Sequence, residues 1–128
     1  MIQITKHDKN WSNDFLTLKA KLESILGPIA KSIDHIGSTA VPGLGAKDVI
    51  DIQVTVDALI PEIKDRFEAA GCTFNPIAND HVPLGADSSP HLWQKFLFSE
   101  IPGLRKANIH VRVYGCLNQR YALYFAII

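Results

Sequence analysis

The sequence predicts a mixed α/β (α+β) sheet with helices mainly on one face, built as a single domain over residues 1–128. Two stretches, 49–56 and 107–114, alternate strictly between apolar and polar residues, as half-buried strands do. Other segments space their apolar residues by three and four, the mark of helices that cover a sheet. The resulting order is helix, strand, loop, strand, helix, three strands and a last helix, which suits a layered sheet-and-helix domain.

Residues 2–5 read as a short edge strand. From 9 to 31, Trp11, Phe15, Leu18, Leu22, Ile25 and Ile29 form one apolar stripe of a long helix, which Gly27-Pro28 kinks or stops. Residues 33–36 are a short segment running into Gly37-Ser38. Residues 39–48 are rich in Gly, Pro and small side chains, a loop with at most one helical turn. In 49–56, Ile50, Ile52, Val54 and Val56 share one face, and Asp51, Gln53 and Thr55 the other.

Asp57 is a candidate N-cap for a helix with Pro61 in its first turn, a buried stripe of Leu59, Ile60, Ile63, Phe67 and Ala70, and Gly71 just past its end. Residues 72–76 are a short strand. Residues 77–91 lack periodicity and form a long loop, a length often associated with function. Residues 93–99 set Phe96 and Phe98 against Lys95 and Leu97. After a turn at 101–105, residues 107–114 set Ile109, Val111 and Val113 against His110, Arg112 and Tyr114. Asn118 is a candidate cap for the last helix, which carries Tyr121, Leu123, Tyr124, Phe125, Ile127 and Ile128. Trp11 and Trp93 are expected in the core, and His81 and His91 at the surface.

The chain has 13 basic and 13 acidic side chains, so no bulk field draws it to nucleic acid or an anionic membrane. No apolar run is long enough to span a bilayer, and no secretory h-region opens the chain. Cys72 and Cys116 stand outside any paired or zinc spacing, which fits reduced thiols and a cytoplasmic protein.

The Gly-rich loop 37–47 differs from a P-loop: Lys47 precedes Asp48 rather than Ser or Thr, and the loop feeds a strand instead of a helix. Its own pattern, a Gly-Ser turn, a spacer and a carboxylate on the next strand, can present backbone N–H groups and a metal ligand to a phosphate. HIGSTAVPGLGAKDVIDI, followed by ANIHVRVYG and NQRYALYF, resembles the GrpB-like family of the nucleotidyltransferase superfamily. The resemblance implies a nucleotidyltransferase-like mixed sheet. It assigns Gly37 and Ser38 to a phosphate-cradling turn and Asp51 to the first metal carboxylate, with Mg²⁺ or Mn²⁺ arriving with a nucleotide. It also shows departures, since Gln53 stands where a second acid is expected, and His110 and Arg112 where a third is often supplied. The final block ends sooner than in relatives, so the chain reads as a shortened member.

From the residues alone, Asp51 and Gln53 on one strand and His110 and Arg112 on another form one polar cluster at Gly37-Ser38 if the strands are neighbours. Arg112 suits bidentate binding of phosphate, and His110 suits acid–base work or metal ligation. Thr39, Lys47 and Lys95 extend the candidate ligand-binding set. His35 either orients the Gly37 turn or lines the site. Asp34, Asp48, Asp80 and Asp87 are further carboxylates able to join a metal. The other reading of these strands is an open, solvated sheet face with a simple Asp51–Arg112 salt bridge. Together with the family resemblance, the polar cluster makes the expected function binding of a nucleotide or other phosphate-bearing small molecule, with metal-assisted nucleotidyl transfer, which the resemblance implies, as its catalytic form. The alternative is a non-catalytic binding or dimerisation module, and the apolar last helix implies a homodimer.

Overall fold

A computed structural model of the chain describes residues 4–41 and 43–124. Helix α1 (Asn10–Leu26) is followed by a 3-10 turn and strand β1 (Ser32–Ile36). Strand β2 (Ile50–Val56) leads through α2 (Pro61–Ala69) to β3 (Thr73–Asn75), β4 (Phe96–Ser99), β5 (Ala107–Val113) and α3 (Leu117–Tyr124). The five strands lie in the order β1-β2-β5-β4-β3. Only the central pair β2–β5 is parallel, with Ile50 opposite Ala107 and Val56 opposite Val113. The mixed sheet expected from the sequence is present.

The apolar face of β2 and β5 joins Leu18, Leu22 and Ile25 of α1 and Ile63 and Phe67 of α2 in one core. Phe67 stacks on Phe98 of β4 with ring centroids 4.0 Å apart. Burying each such side chain contributes about 1.5–3 kcal/mol. Trp11 and Trp93 are both buried, as expected, and His81 and His91 are exposed. Helix α3 covers the other sheet face, against β1, β2 and β5.

Several boundaries differ from the sequence reading. Helix α1 stops at Leu26 rather than running on to 31, because Gly27 adopts φ 54° and is followed by Pro28. Asp57 does not cap α2. Ile60 holds the cap position in an extended conformation, as the residue before a proline must, and Asp57 instead pairs with Lys31 at 3.2 Å. Ile60 is consequently exposed, and the buried stripe of α2 is Ile63 and Phe67. Asn118 lies within the first turn of α3 rather than at the cap position; its Oδ1 accepts from the Gln119 N–H at 2.8 Å, and its Nδ2 donates to Asp80 and to the Gln94 carbonyl. Of the expected edge strand at 2–5, Thr5 makes an isolated bridge to Ala46, and residues 2 and 3 lie outside the described residues. Phe125, Ile127 and Ile128 also lie outside them.

The largest difference concerns the polar face. Alternation predicts that Gln53, Thr55, His110 and Arg112 are half-solvated, yet all four are buried, Gln53 at 0% and Arg112 at 2% exposure. Helix α3 and the loop 77–91 form a third layer over them, and hydrogen bonds satisfy their polar groups.

Candidate functional site

Strand register builds the site. Pairing of Ile36 with Asp51 sets the Gly37 turn beside the carboxylate at the start of β2. Gly37 has φ 74° and ψ −170°, a conformation essentially reserved for glycine, and it turns the chain into the 3-10 segment Ser38–Ala40. The ring of His35 points to the core side, stacked on Phe15 at 5.0 Å, and its Nε2 meets Thr39 Oγ1 at 2.8 Å. His35 thus braces the turn, and Thr39 is buried in doing so. Burial lowers the His35 pKa against the opposing pull of Asp51.

On the polar face, parallel pairing sets Asp51 beside Asn108, Gln53 beside His110 and Thr55 beside Arg112. Asp51 keeps a quarter of its side chain exposed, with Asn108 Nδ2 at 3.4 Å and His110 Nε2 at 3.5 Å. His110 Nδ1 faces Lys95 Nζ at 3.1 Å and Arg112 Nη2 at 3.4 Å. Both neighbours only donate, so Nδ1 accepts and the ring proton sits on Nε2, toward Asp51. Burial lowers the His110 pKa, and the charges of Arg112 and Lys95 lower it further, while Asp51 opposes them. The ring is therefore held neutral.

Asp80, from the long loop, is the centre of the cluster. Its carboxylate accepts from Arg112 Nε at 3.0 Å, Arg112 Nη2 at 3.1 Å and Asn118 Nδ2 at 3.0 Å, and it pairs with Lys95 Nζ at 2.6 Å. Burial alone would raise its pKa, but the hydrogen bonds and charges of Arg112 and then Lys95 bring it down to about 2. Burial also lowers the Lys95 pKa, against the pull of Asp80. Arg112 consequently pairs with Asp80, and the simple Asp51–Arg112 bridge of the alternative sequence reading is absent among the described residues.

The structure thus links Asp51, His110, Lys95, Arg112 and Gln53 in one polar network, but only Asp51 lies at the Gly37-Ser38 end. Arg112 sits opposite Thr55, which pairs with Ser32, four residues along β2, so the expected convergence of all five on that turn is not seen. Lys47 is not drawn in; it is exposed on the loop before β2. Gln53 is committed on both sides, accepting from Arg112 Nη1 at 3.0 Å and donating to the Gln119 carbonyl at 3.0 Å. A resident two-metal centre does not fit this donor set. Asp51 is a single carboxylate among amides and a neutral imidazole, and among the described residues no group of three His, Cys, Asp or Glu side chains is placed to hold an ion.

Sequence reasoning missed the roles of Asp80, Asn118 and Gln119. The only signal for Asp80 was its position in a long aperiodic loop. A cleft of about 790 Å³ opens on this cluster, lined at its polar end by Asp80, Lys95, Arg112 and Asn118 and along its walls by apolar residues including Ile77, Pro83 and Trp93. No helix among the described residues is long and apolar enough to cross a membrane.

Comparison with known proteins agrees with this architecture. The crystal structure of conserved protein GrpB from Enterococcus faecalis superposes with a TM-score of 0.66 at 22% identity, covering 93% of this chain and 66% of that one, a likeness in fold. Dephospho-CoA kinase of Mycobacterium tuberculosis is 37% identical over 133 residues, covering 92% of this chain and 33% of that protein. Glutamate-rich protein GrpB of Alkalihalophilus pseudofirmus is 43% identical over 56 residues, covering 44% of this chain and 32% of that protein. The matched segments span about a third of the length of these curated relatives. A family model described as GrpB protein matches residues 1–127. The Gly37 turn, the β2 carboxylate and the polar β5 strand are therefore parts of a nucleotidyltransferase-like fold, and the chain belongs to the GrpB family.

Proposed function

We propose that this chain binds a nucleotide or another phosphate-bearing small molecule in the cleft between the loop 77–91 and α3. The carrying observation is the cleft itself. Its volume of about 790 Å³ lies within the range of small-molecule sites, and it joins apolar walls to convergent charged groups. Three of the groups in and behind it, Asp80, Lys95 and His110, have displaced pKa values, as binding and catalytic sites commonly do. The ring of a nucleoside suits the wall at Ile77, Pro83 and Trp93, and its phosphates suit the floor of Lys95 and Arg112. That floor continues through His110 to Asp51 and the Gly37 turn. Mg²⁺ or Mn²⁺ would arrive with the phosphates of the ligand, and Asp51, a quarter exposed, would supply its protein carboxylate. Binding is the better-supported form of the proposal, because one carboxylate is a thin set for nucleotidyl transfer.

The test is the thermal midpoint against a panel of nucleotides, with and without Mg²⁺ or Mn²⁺. Dephospho-CoA and CoA belong in that panel because of the name of the mycobacterial relatives. A ligand at a hundred times its Kd stabilises the fold by about 2.7 kcal/mol. Ile77→Glu adds a carboxylate at a half-exposed position of the cleft wall and should weaken binding of an anion. A panel without any saturable shift refutes the proposal.

Leu123 and Tyr124 stand 48% and 77% exposed on α3, which supports a homodimer formed through this helix. The free thiols Cys72 and Cys116 support a reducing, cytoplasmic setting.

A further inference from the structure

We propose that the donors around Asp80 form an oxyanion cage for the phosphate monoester of a ligand, and that the loop carboxylate occupies this cage in the ligand's place. The inference rests on the binding proposal for its ligand class and deepens it by naming the phosphate subsite and its control.

The geometry is that of a complete anion site. Four donor groups on three elements converge on two oxygens: Arg112 Nε and Nη2 from β5, Lys95 Nζ just before β4, and Asn118 Nδ2 from α3. Each is held by something other than Asp80. Gln53 Oε1 fixes the Arg112 guanidinium at 3.0 Å, the Gln94 carbonyl takes a second Asn118 bond at 2.9 Å, and His110 Nδ1 meets the Lys95 ammonium at 3.1 Å. Lys95, Arg112 and Asn118 are all nine-tenths or more buried. A bidentate carboxylate needs only the guanidinium, so the ammonium and the amide go beyond what that pair requires.

Charge points the same way. Lys95 and Arg112 bring two positive charges, and Asp80 returns one. A phosphate monoester carries about −1.5 to −2 at neutral pH and has three terminal oxygens, which matches both cations and all four donors better than a carboxylate does. The cage also has an entrance, because Asp80, Lys95, Arg112 and Asn118 line the same cleft. Asp80 is the one member carried by the aperiodic loop, whose neighbouring Val82 and Leu84 are exposed. A phosphate arriving from the cleft thus displaces the Asp80 side chain, and the loop beyond residue 80 loses its side-chain tie to Arg112, Lys95 and Asn118, while the backbone bonds of residues 78–80 to 93–95 stay in place.

The experiment uses inorganic phosphate on the wild-type chain, Asp80→Ala and Asp80→Asn, with chloride at equal ionic strength as control. Both variants should melt lower than wild type. Phosphate should then raise their midpoints saturably, with an affinity roughly tenfold or more above that of wild type. Adding Lys95→Met to the Asp80→Asn variant should remove the gain. If neither variant folds, thermolysin cleavage of the wild-type loop near Leu84 decides, and saturating phosphate should accelerate it. Phosphate that stabilises the folded variants no more than chloride overturns the proposal, and so does unchanged cleavage where neither variant folds. Phosphate rescue without any nucleotide shift in wild type upholds the cage and removes the nucleotide reading. A nucleotide shift in wild type without phosphate gain in the variants upholds that reading and overturns the cage.

Discussion

Asp80 and Arg112, 32 residues apart, meet through two parallel hydrogen bonds of 3.0 and 3.1 Å beneath the loop 77–91. This pair ties a segment without periodicity to the central parallel strands. It also neutralises the arginine that sequence patterning offered to an incoming phosphate.

The pair makes stability depend on acid. The Asp80 carboxyl sits at about 2 in the fold, against 3.8 ordinarily. A depressed folded pKa means the unfolded chain binds the proton more readily, so the contribution is complete above about pH 5 and is lost as pH falls through 3.8 toward 2. The shift corresponds to stability on the order of 2 kcal/mol. Urea unfolding between pH 5 and 2 should show this loss, and Asp80→Asn should flatten it.

The histidines act in a higher window. Burial keeps His110 and His35 neutral by lowering both from 6.5. The unfolded chain therefore takes up protons first as pH falls below 6.5. Stability should decline from pH 7.5 toward 5 and level off below the folded pKa values. His110→Gln should remove part of that decline in denaturant titrations.

Gln53→Leu should be costly. It leaves the Arg112 Nη1 donor and the Gln119 carbonyl without their buried partner, at about 1–3 kcal/mol for each unsatisfied group. Gln53→Glu restores the acid of the superfamily pattern but faces Arg112 and a carbonyl oxygen. Calorimetry with Mg²⁺ should show no gain in affinity.

Gly37→Ala forces a methyl group into φ 74°, ψ −170°, at a cost of about 1–3 kcal/mol. Nucleotide binding should weaken with it, because the turn beside Asp51 shifts. Unchanged stability and binding would show that the turn tolerates a side chain.

Light scattering at micromolar concentration should give a dimer mass, and Tyr124→Glu should dissociate it. A monomeric wild-type chain rules out the association surface on α3.

By itself, the amino-acid sequence determined the elements and the faces of the two central strands. Period-two alternation put Asp51, His110 and Arg112 on one side because successive side chains of a strand must point oppositely. Gly27-Pro28 ended α1, and the Gly37-Ser38 turn was legible because few residues tolerate such a backbone. Only the tertiary structure decided that β2 and β5 run parallel as neighbours, that α3 and the loop cover the polar face, and that Asp80 answers Arg112 and Lys95. Periodicity reports which residues share a face, whereas the layer that covers a face comes from residues distant in the chain. Asp80 lies 32 residues from Arg112 and Gln119 lies 66 from Gln53, so no local pattern could announce either contact.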